Sequence, residues 1–170
     1  MATEPRGRQR DQGWSLRRRL LITAAVVVTG FMLLAGFALE QAFRASAMQA
    51  SRDRLQARIY MLMGAAEFTP DGRLVMPPAL PDPTLDMPDS GNLGAISLDD
   101  GGLLWQSESS LATAPDYPPA ATPGQPVATQ ATGGDTVFLV MAYPVIWELE
   151  SGKERRLVFY AAEPRTRVDQ

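Results

Sequence analysis

The chain has 170 residues, no cysteine, no histidine and a formal net charge of −3. At roughly 100–200 residues per domain, that length holds one domain with attachments. The missing residue types exclude disulfides, thiolate nucleophiles, Cys/His zinc sites, imidazole bases and phosphohistidine within these residues.

The modest net charge conceals three segments. Residues 1–19 carry Arg6, Arg8, Arg10, Arg17, Arg18 and Arg19 against Glu4 and Asp11, a balance of +4. Residues 20–39 carry no charge, and residues 40–170 carry ten basic against seventeen acidic side chains, a balance of −7.

Residues 20–39 read LLITAAVVVTGFMLLAGFAL, without a charge, Asn, Gln or Pro. As a helix they extend about 30 Å, the thickness of a bilayer's hydrocarbon core. That predicts a transmembrane helix. A cleaved signal is the alternative: Ala45-Ser46-Ala47 offers a cleavage site, and Arg17–Leu21 is faintly similar to a twin-arginine signal. The run exceeds the usual apolar core of a signal, about 7–15 residues, and Glu40, Gln41 and Arg44 separate it from the cleavage site. Leu33-Leu34-Ala35-Gly36 resembles a lipoprotein box, but Phe37 stands where a cysteine is required. The arginines before the span place residues 1–19 in the cytoplasm, with Trp14 at headgroup level. Residues 40–170 then lie outside, which in a bacterium means the periplasm.

Residues 40–66 are expected to form a helix, with no Gly or Pro until Gly64. Met48, Leu55 and Leu62 recur at intervals of seven, with Ala45, Arg52, Ile59 and Ala66 at the offset positions. Two readings follow. Met48, Leu55, Ile59 and Leu62 form a dimer interface, or the helix packs on its own domain, and the two are compatible. Nothing between Leu39 and Arg44 stops a helix that enters from the membrane.

Strand patterns come next. Arg73–Met76 follows an Asp71-Gly72 turn, and Leu93–Leu98 and Leu103–Ser107 flank the hairpin signal Asp99-Asp100-Gly101-Gly102. Thr136–Glu150 is apolar, β-branched and aromatic, interrupted by Pro144, which argues for an edge or a bulge. The turn Ser151–Glu154 leads into Arg156–Ala161. About five mostly antiparallel strands with the long helix across one face make a small α+β domain over residues 67–164. Eleven of the fourteen prolines fall between Pro70 and Pro126. Residues 77–92 and 112–135 are accordingly expected as mobile loops.

The order of parts resembles the N-terminal region of PhoQ-type sensor histidine kinases. The likeness is carried by Ser15–Leu21 entering the span, the helix Phe43–Ala66, the hairpin Ile96–Trp105, and Val140–Pro144 with the final strand to Pro164. It implies a periplasmic sensor domain of PAS-like (PDC) fold, working as a homodimer between two membrane helices. It also implies a cognate response regulator, reached through a kinase core, with ATP bound only there. Residues 165–170 would be the lead-in to a second span, which marks the chain as a fragment or truncated form of a receptor. Such sensors can hold divalent cations between acidic residues and an anionic bilayer. Here the corresponding stretch, 112–135, has only Asp116 and Asp135.

A partial substitute lies in the charge pattern. From Leu74 to Gly152 there is no Lys or Arg, while Asp82, Asp86, Asp89, Asp99, Asp100, Glu108, Asp116, Asp135, Glu148 and Glu150 occur. Hard cations such as magnesium or calcium prefer carboxylate oxygens, and an acidic surface facing anionic membrane lipids needs bridging cations. Asp82, Asp86 and Asp89 are the candidate metal ligands; a solvated acidic face is the alternative. Asp99–Gly102 reads as turn chemistry, Trp105 and Trp147 as packing, and Ser107, Ser109 and Ser110 have no base to activate them. Arg52, Arg54 and Arg58 would meet headgroups or a partner's acids. An acidic exported part repels polyanions, so nucleic acid is not an expected partner. The expected function is the input region of a membrane-anchored sensor kinase. The alternatives are another receptor class, such as a nucleotide cyclase or chemoreceptor, and a single-span periplasmic scaffold. A secreted enzyme is disfavoured by the missing histidine.

Overall fold

The computed structural model describes residues 12–119, 122–149 and 152–165. Arg6, Arg8, Arg10, Glu150 and residues 166–170 lie outside the described residues, as does the side chain of Trp14. The chain divides into two compact units, Met1–Ala45 and Ser46–Gln170.

A single helix, α1, spans Gln12–Ala65. In the first unit its residues 20–39 are exposed throughout, so the run is apolar on every side. The helix is long and apolar enough to cross a membrane. A helix satisfies its own backbone groups, as hydrocarbon requires. Thr23 adds to this by donating its hydroxyl to the Arg19 carbonyl at 2.9 Å. Just past the apolar run, Arg44 pairs with Glu40 at 2.7 Å on an open surface, a contact of small energetic weight.

In the second unit, Ser46–Ala65 of α1 is followed by a two-stranded ribbon, β1 (Glu67–Phe68) with β2 (Leu74–Val75). Five more strands form one antiparallel sheet: β3 (Leu93–Leu98), β4 (Leu103–Gln106), β5 (Val127–Gly133), β6 (Thr136–Glu148) and β7 (Glu154–Pro164). Their spatial order is β4-β3-β7-β6-β5. The fold is α+β, a long N-terminal helix followed by a small antiparallel sheet.

The period of two along β7 sorts its side chains onto two faces. Leu157, Phe159 and Ala161 join Leu55, Ile59 and Leu62 of α1 in one core, together with Ile96, Leu139 and Met141. Burying such side chains stabilises by about 1.5–3 kcal/mol each. Gly94 makes room for the helix: a Cβ there would lie 3.2 Å from Leu62 Cδ1. Val158, Tyr160 and Ala162 face the other way and form a second core with Leu93, Phe138 and Val140. That face is covered by the segment before β5. Tyr117 stacks on Tyr160 with ring centroids 4.7 Å apart, and Tyr160 Oη donates to the Pro118 carbonyl at 2.9 Å.

The structure departs from sequence expectation in its choice of strands. Residues 73–76 contribute β2, which pairs with β1 and stands outside the five-stranded sheet. Its place is taken by β5, inside the stretch expected as a mobile loop. The sequence VATQATG is only weakly apolar because β5 is an edge strand, held by its full register with β6 from Val127↔Ala142 to Gly133↔Thr136. Pro144 follows the same logic. It sits in β6 just past the end of β5, and its carbonyl accepts from the Gly124 N–H at 2.8 Å. In an antiparallel strand the missing proline N–H points to that same side, where no strand requires it. The proline-rich stretch 77–92 also carries order: a 3-10 turn at Pro83–Leu85 drives Leu85 into the first core, beside Leu80.

Candidate functional site

The residues with chemistry to offer gather along α1 where it lies on the sheet. Of the four expected interface residues, Leu55, Ile59 and Leu62 are fully buried within their own domain. The heptad-like stripe is the face that meets the sheet, the second of the two readings of this helix. Met48 is half-buried at the edge of the same core. Trp105 and Trp147 pack against that core, with Trp147 5.7 Å from Phe68 and 6.0 Å from Phe159 between ring centroids.

Two helix arginines meet acids of their own chain. Arg58 Nε donates to Asp82 Oδ2 at 3.0 Å. Asp82 Oδ1 caps the 3-10 turn, accepting from the Thr84 N–H at 3.0 Å and the Thr84 hydroxyl at 2.6 Å. Partial burial works against the charged carboxylate, but the bonds from Thr84 and Arg58 outweigh it and hold Asp82 below the ordinary aspartate value. Arg54 Nη2 lies 3.2 Å from Glu163 Oε1, which also accepts from the Ser51 hydroxyl. Arg52 is exposed.

The three candidate metal ligands are therefore not assembled as a set. Asp82 is committed to Arg58 and Thr84, and Asp86 Oδ2 accepts from the Leu80 N–H at 3.3 Å. Asp89 is exposed, with its backbone in the left-handed region at φ 60°. The prolines between them impose a capped turn in place of a ligand face. Among the described residues, no three acidic side chains come together as a cation site. Asp89, Asp99, Asp100, Glu108, Asp116, Asp135 and Glu148 are all exposed. Asp100 serves the β3–β4 turn, accepting from the Gly102 N–H at 2.9 Å, with Gly101 at φ 90°.

The serines form a buried hub. Ser107 Oγ accepts from the Gly94 N–H at 3.0 Å and shares bonds with Ser109 at 2.8 Å and Ser110 at 2.7 Å. Ser109 Oγ in turn donates to the Asn92 carbonyl at 2.7 Å. This pins the chain leaving β4 to β3 and offers no exposed nucleophile.

Sequence reasoning did not single out Glu163 or Ser51. The signal was present in register: on β7 the residues 157, 159 and 161 share the core face, and the next on that face is a glutamate.

The chain is 38% identical over 105 residues to the two-component sensor PhoQ of Pseudomonas aeruginosa. The likeness is to a bacterial sensor. The aligned part is 62% of this chain and 23% of that protein, so the chain spans less than a quarter of the relative it matches. No family model matches, and no solved structure matches.

Proposed function

We propose that these residues are the input region of a bacterial two-component sensor kinase, anchored in the inner membrane by residues 20–39 of α1. The carrying observation is the likeness to the Pseudomonas sensor PhoQ, joined to an exposed apolar helix that precedes an α+β domain. In this reading residues 1–19 are cytoplasmic, the domain is periplasmic and PAS-like, and a kinase core reaches a response regulator. The basic N-terminus and the uncharged run set the orientation.

The same reading includes a homodimer. Leu55, Ile59 and Leu62 are taken up by the sheet, so pairing falls to the opposite face of α1. There Ala50, Ala57 and Gly64 are exposed at intervals of seven, the repeat of a coiled coil. The sensed ligand is a divalent cation or a cationic peptide, drawn to the acid-rich, Lys- and Arg-free surface between Leu74 and Leu149. Exposed acids such as Asp99, Asp100 and Asp135 supply that attraction.

The test is to read the coding sequence past Gln170 and to fuse alkaline phosphatase at that point. A second apolar span followed by a histidine-bearing dimerisation helix and an ATP-binding domain is the expected result, with active phosphatase outside the membrane. A downstream cyclase or chemoreceptor domain would place the region in another receptor class. A stop codon there, or inactive phosphatase, would overturn the sensor-kinase reading.

A further inference from the structure

Glu163 is 2% exposed and Ser51, its partner on α1, is fully buried. A buried carboxylate is costly unless it is paired, and an apolar side chain would have continued the pattern of Leu157, Phe159 and Ala161. The charge therefore does something that core packing does not require. Its bonds run from Oε1 to the Ser51 hydroxyl and to Arg54 Nη2 at 3.2 Å, and the Arg54 side chain is itself 54% exposed.

The position of this cluster explains its use. Ser51 lies close to the start of the second unit at Ser46, and Glu163 is the residue before the last of β7. One polar cluster thus joins the segment where the chain enters the domain to the segment where it leaves. The core contacts between α1 and β7 involve Leu157, Phe159 and Ala161, earlier in the strand. Beyond Ala161, Glu163 adds side-chain bonds to the helix.

We propose that Glu163 is a positioning residue that locks the end of β7 to α1, so that the last residues of β7, up to Pro164, and the helix from Ser46 onward move as one body. Displacing its carboxylate from Ser51 uncouples them locally while the sheet persists. This rests on the sensor reading for its purpose, since a receptor domain between two membrane segments must couple its two chain ends. The lock itself is testable without that reading.

The experiment is amide hydrogen exchange on the full 170-residue chain in lipid nanodiscs, comparing the parent with Glu163→Ala, Glu163→Gln and Ser51→Ala. Opening of a local unit exposes its own amides and leaves others protected. The expected result for Glu163→Ala is exchange at least about tenfold faster at Ala162, Glu163 and Arg165 and in Ser51–Leu55, with β3 and the middle of β6 unchanged. Glu163→Gln, which can still accept from Ser51, should keep part of the protection. Should Glu163→Ala fail to fold, Ser51→Ala carries the same expectation. Unchanged exchange at the two ends would overturn the lock. So would acceleration spread evenly over β3 and β6, which would mark Glu163 as a residue of general stability only. Failure of the sensor reading would appear instead in the sequence beyond Gln170 and would leave the exchange pattern as predicted.

Discussion

The Nε of Arg58, on the helix, donates to Oδ2 of Asp82, in the proline-rich stretch, across 3.0 Å. The two side chains are 11% and 24% exposed, which puts the pair well inside the range where removing one partner strands the other. Asp82→Ala is expected to cost about 2 kcal/mol, because Arg58 loses its counter-charge and the 3-10 turn its cap. Urea denaturation checks this; a loss below the scatter of surface substitutions would refute it.

The same pair sets an acid dependence. The carboxyl of Asp82 is held below its ordinary value of 3.8, so the folded state binds that proton less readily than the unfolded chain. Its stabilising contribution is present above the unfolded pKa and is lost as pH falls through the folded one. Between pH 6 and about 3 the parent should lose more stability than Asp82→Asn. Equal acid sensitivity in thermal melts of the two proteins would contradict the assignment.

Tyrosines 117 and 160 act at the other end of the pH scale. Burial pushes both phenols above their ordinary value of 10.0, with Ser110 and Ser97 respectively opposing the shift. The neutral form is favoured in the folded state, so this contribution is complete below about pH 10 and is lost above it. Phenolate absorbance from Tyr117 and Tyr160, read by difference from the Tyr117→Phe and Tyr160→Phe variants, should therefore appear only as the domain unfolds. A single unperturbed transition would be incompatible with the packing of Tyr117 on Tyr160.

Charge on the helix separates core from seam. Leu55→Arg and Leu62→Arg should abolish folding of the domain, at a cost of at least about 4 kcal/mol, since each places an unpaired guanidinium in the first core. Ala57→Arg, on the exposed face, should leave the circular dichroism unchanged and weaken self-association at least about tenfold, or about 1.4 kcal/mol. Sedimentation equilibrium would report the difference, and a dimer untouched by Ala57→Arg would send the interface elsewhere.

Magnesium should stabilise the domain saturably if the acid-rich surface binds it, by about 1.4 kcal/mol at ten times the dissociation constant, read as a rise in the thermal midpoint. Replacing Asp82, Asp86 and Asp89 together by Asn should lower stability at every magnesium concentration and leave the shift in place. Loss of the shift in that variant would return the site to those three residues.

The fold was legible where periodicity and burial coincide. The β3–β4 hairpin and β6 followed from apolar, β-branched runs bounded by Asp-Gly and Ser-Gly turns, with ends agreeing to within a few residues. Where pairing replaces burial, the pattern fades: β5 presents Thr129, Gln130 and Thr132 because an edge strand needs few apolar residues. The helix was readable as a helix, but its apolar stripe carries no label saying which surface it meets. Leu55 and Leu62 suit a partner helix and a sheet equally well. The site was less legible still. Asp82 and Arg58 are 24 residues apart and Ser51 and Glu163 are 112 apart, and the partner of a polar side chain is decided by tertiary register.

Placing β7 between β3 and β6 has a consequence for synthesis. The strand made last occupies the middle of the sheet, so until it arrives the β3–β4 hairpin and the β5–β6 hairpin share no neighbour. Neither half can close its core while residues 154–164 are still within the ribosome. The sheet therefore cannot be completed until almost the whole domain has been made.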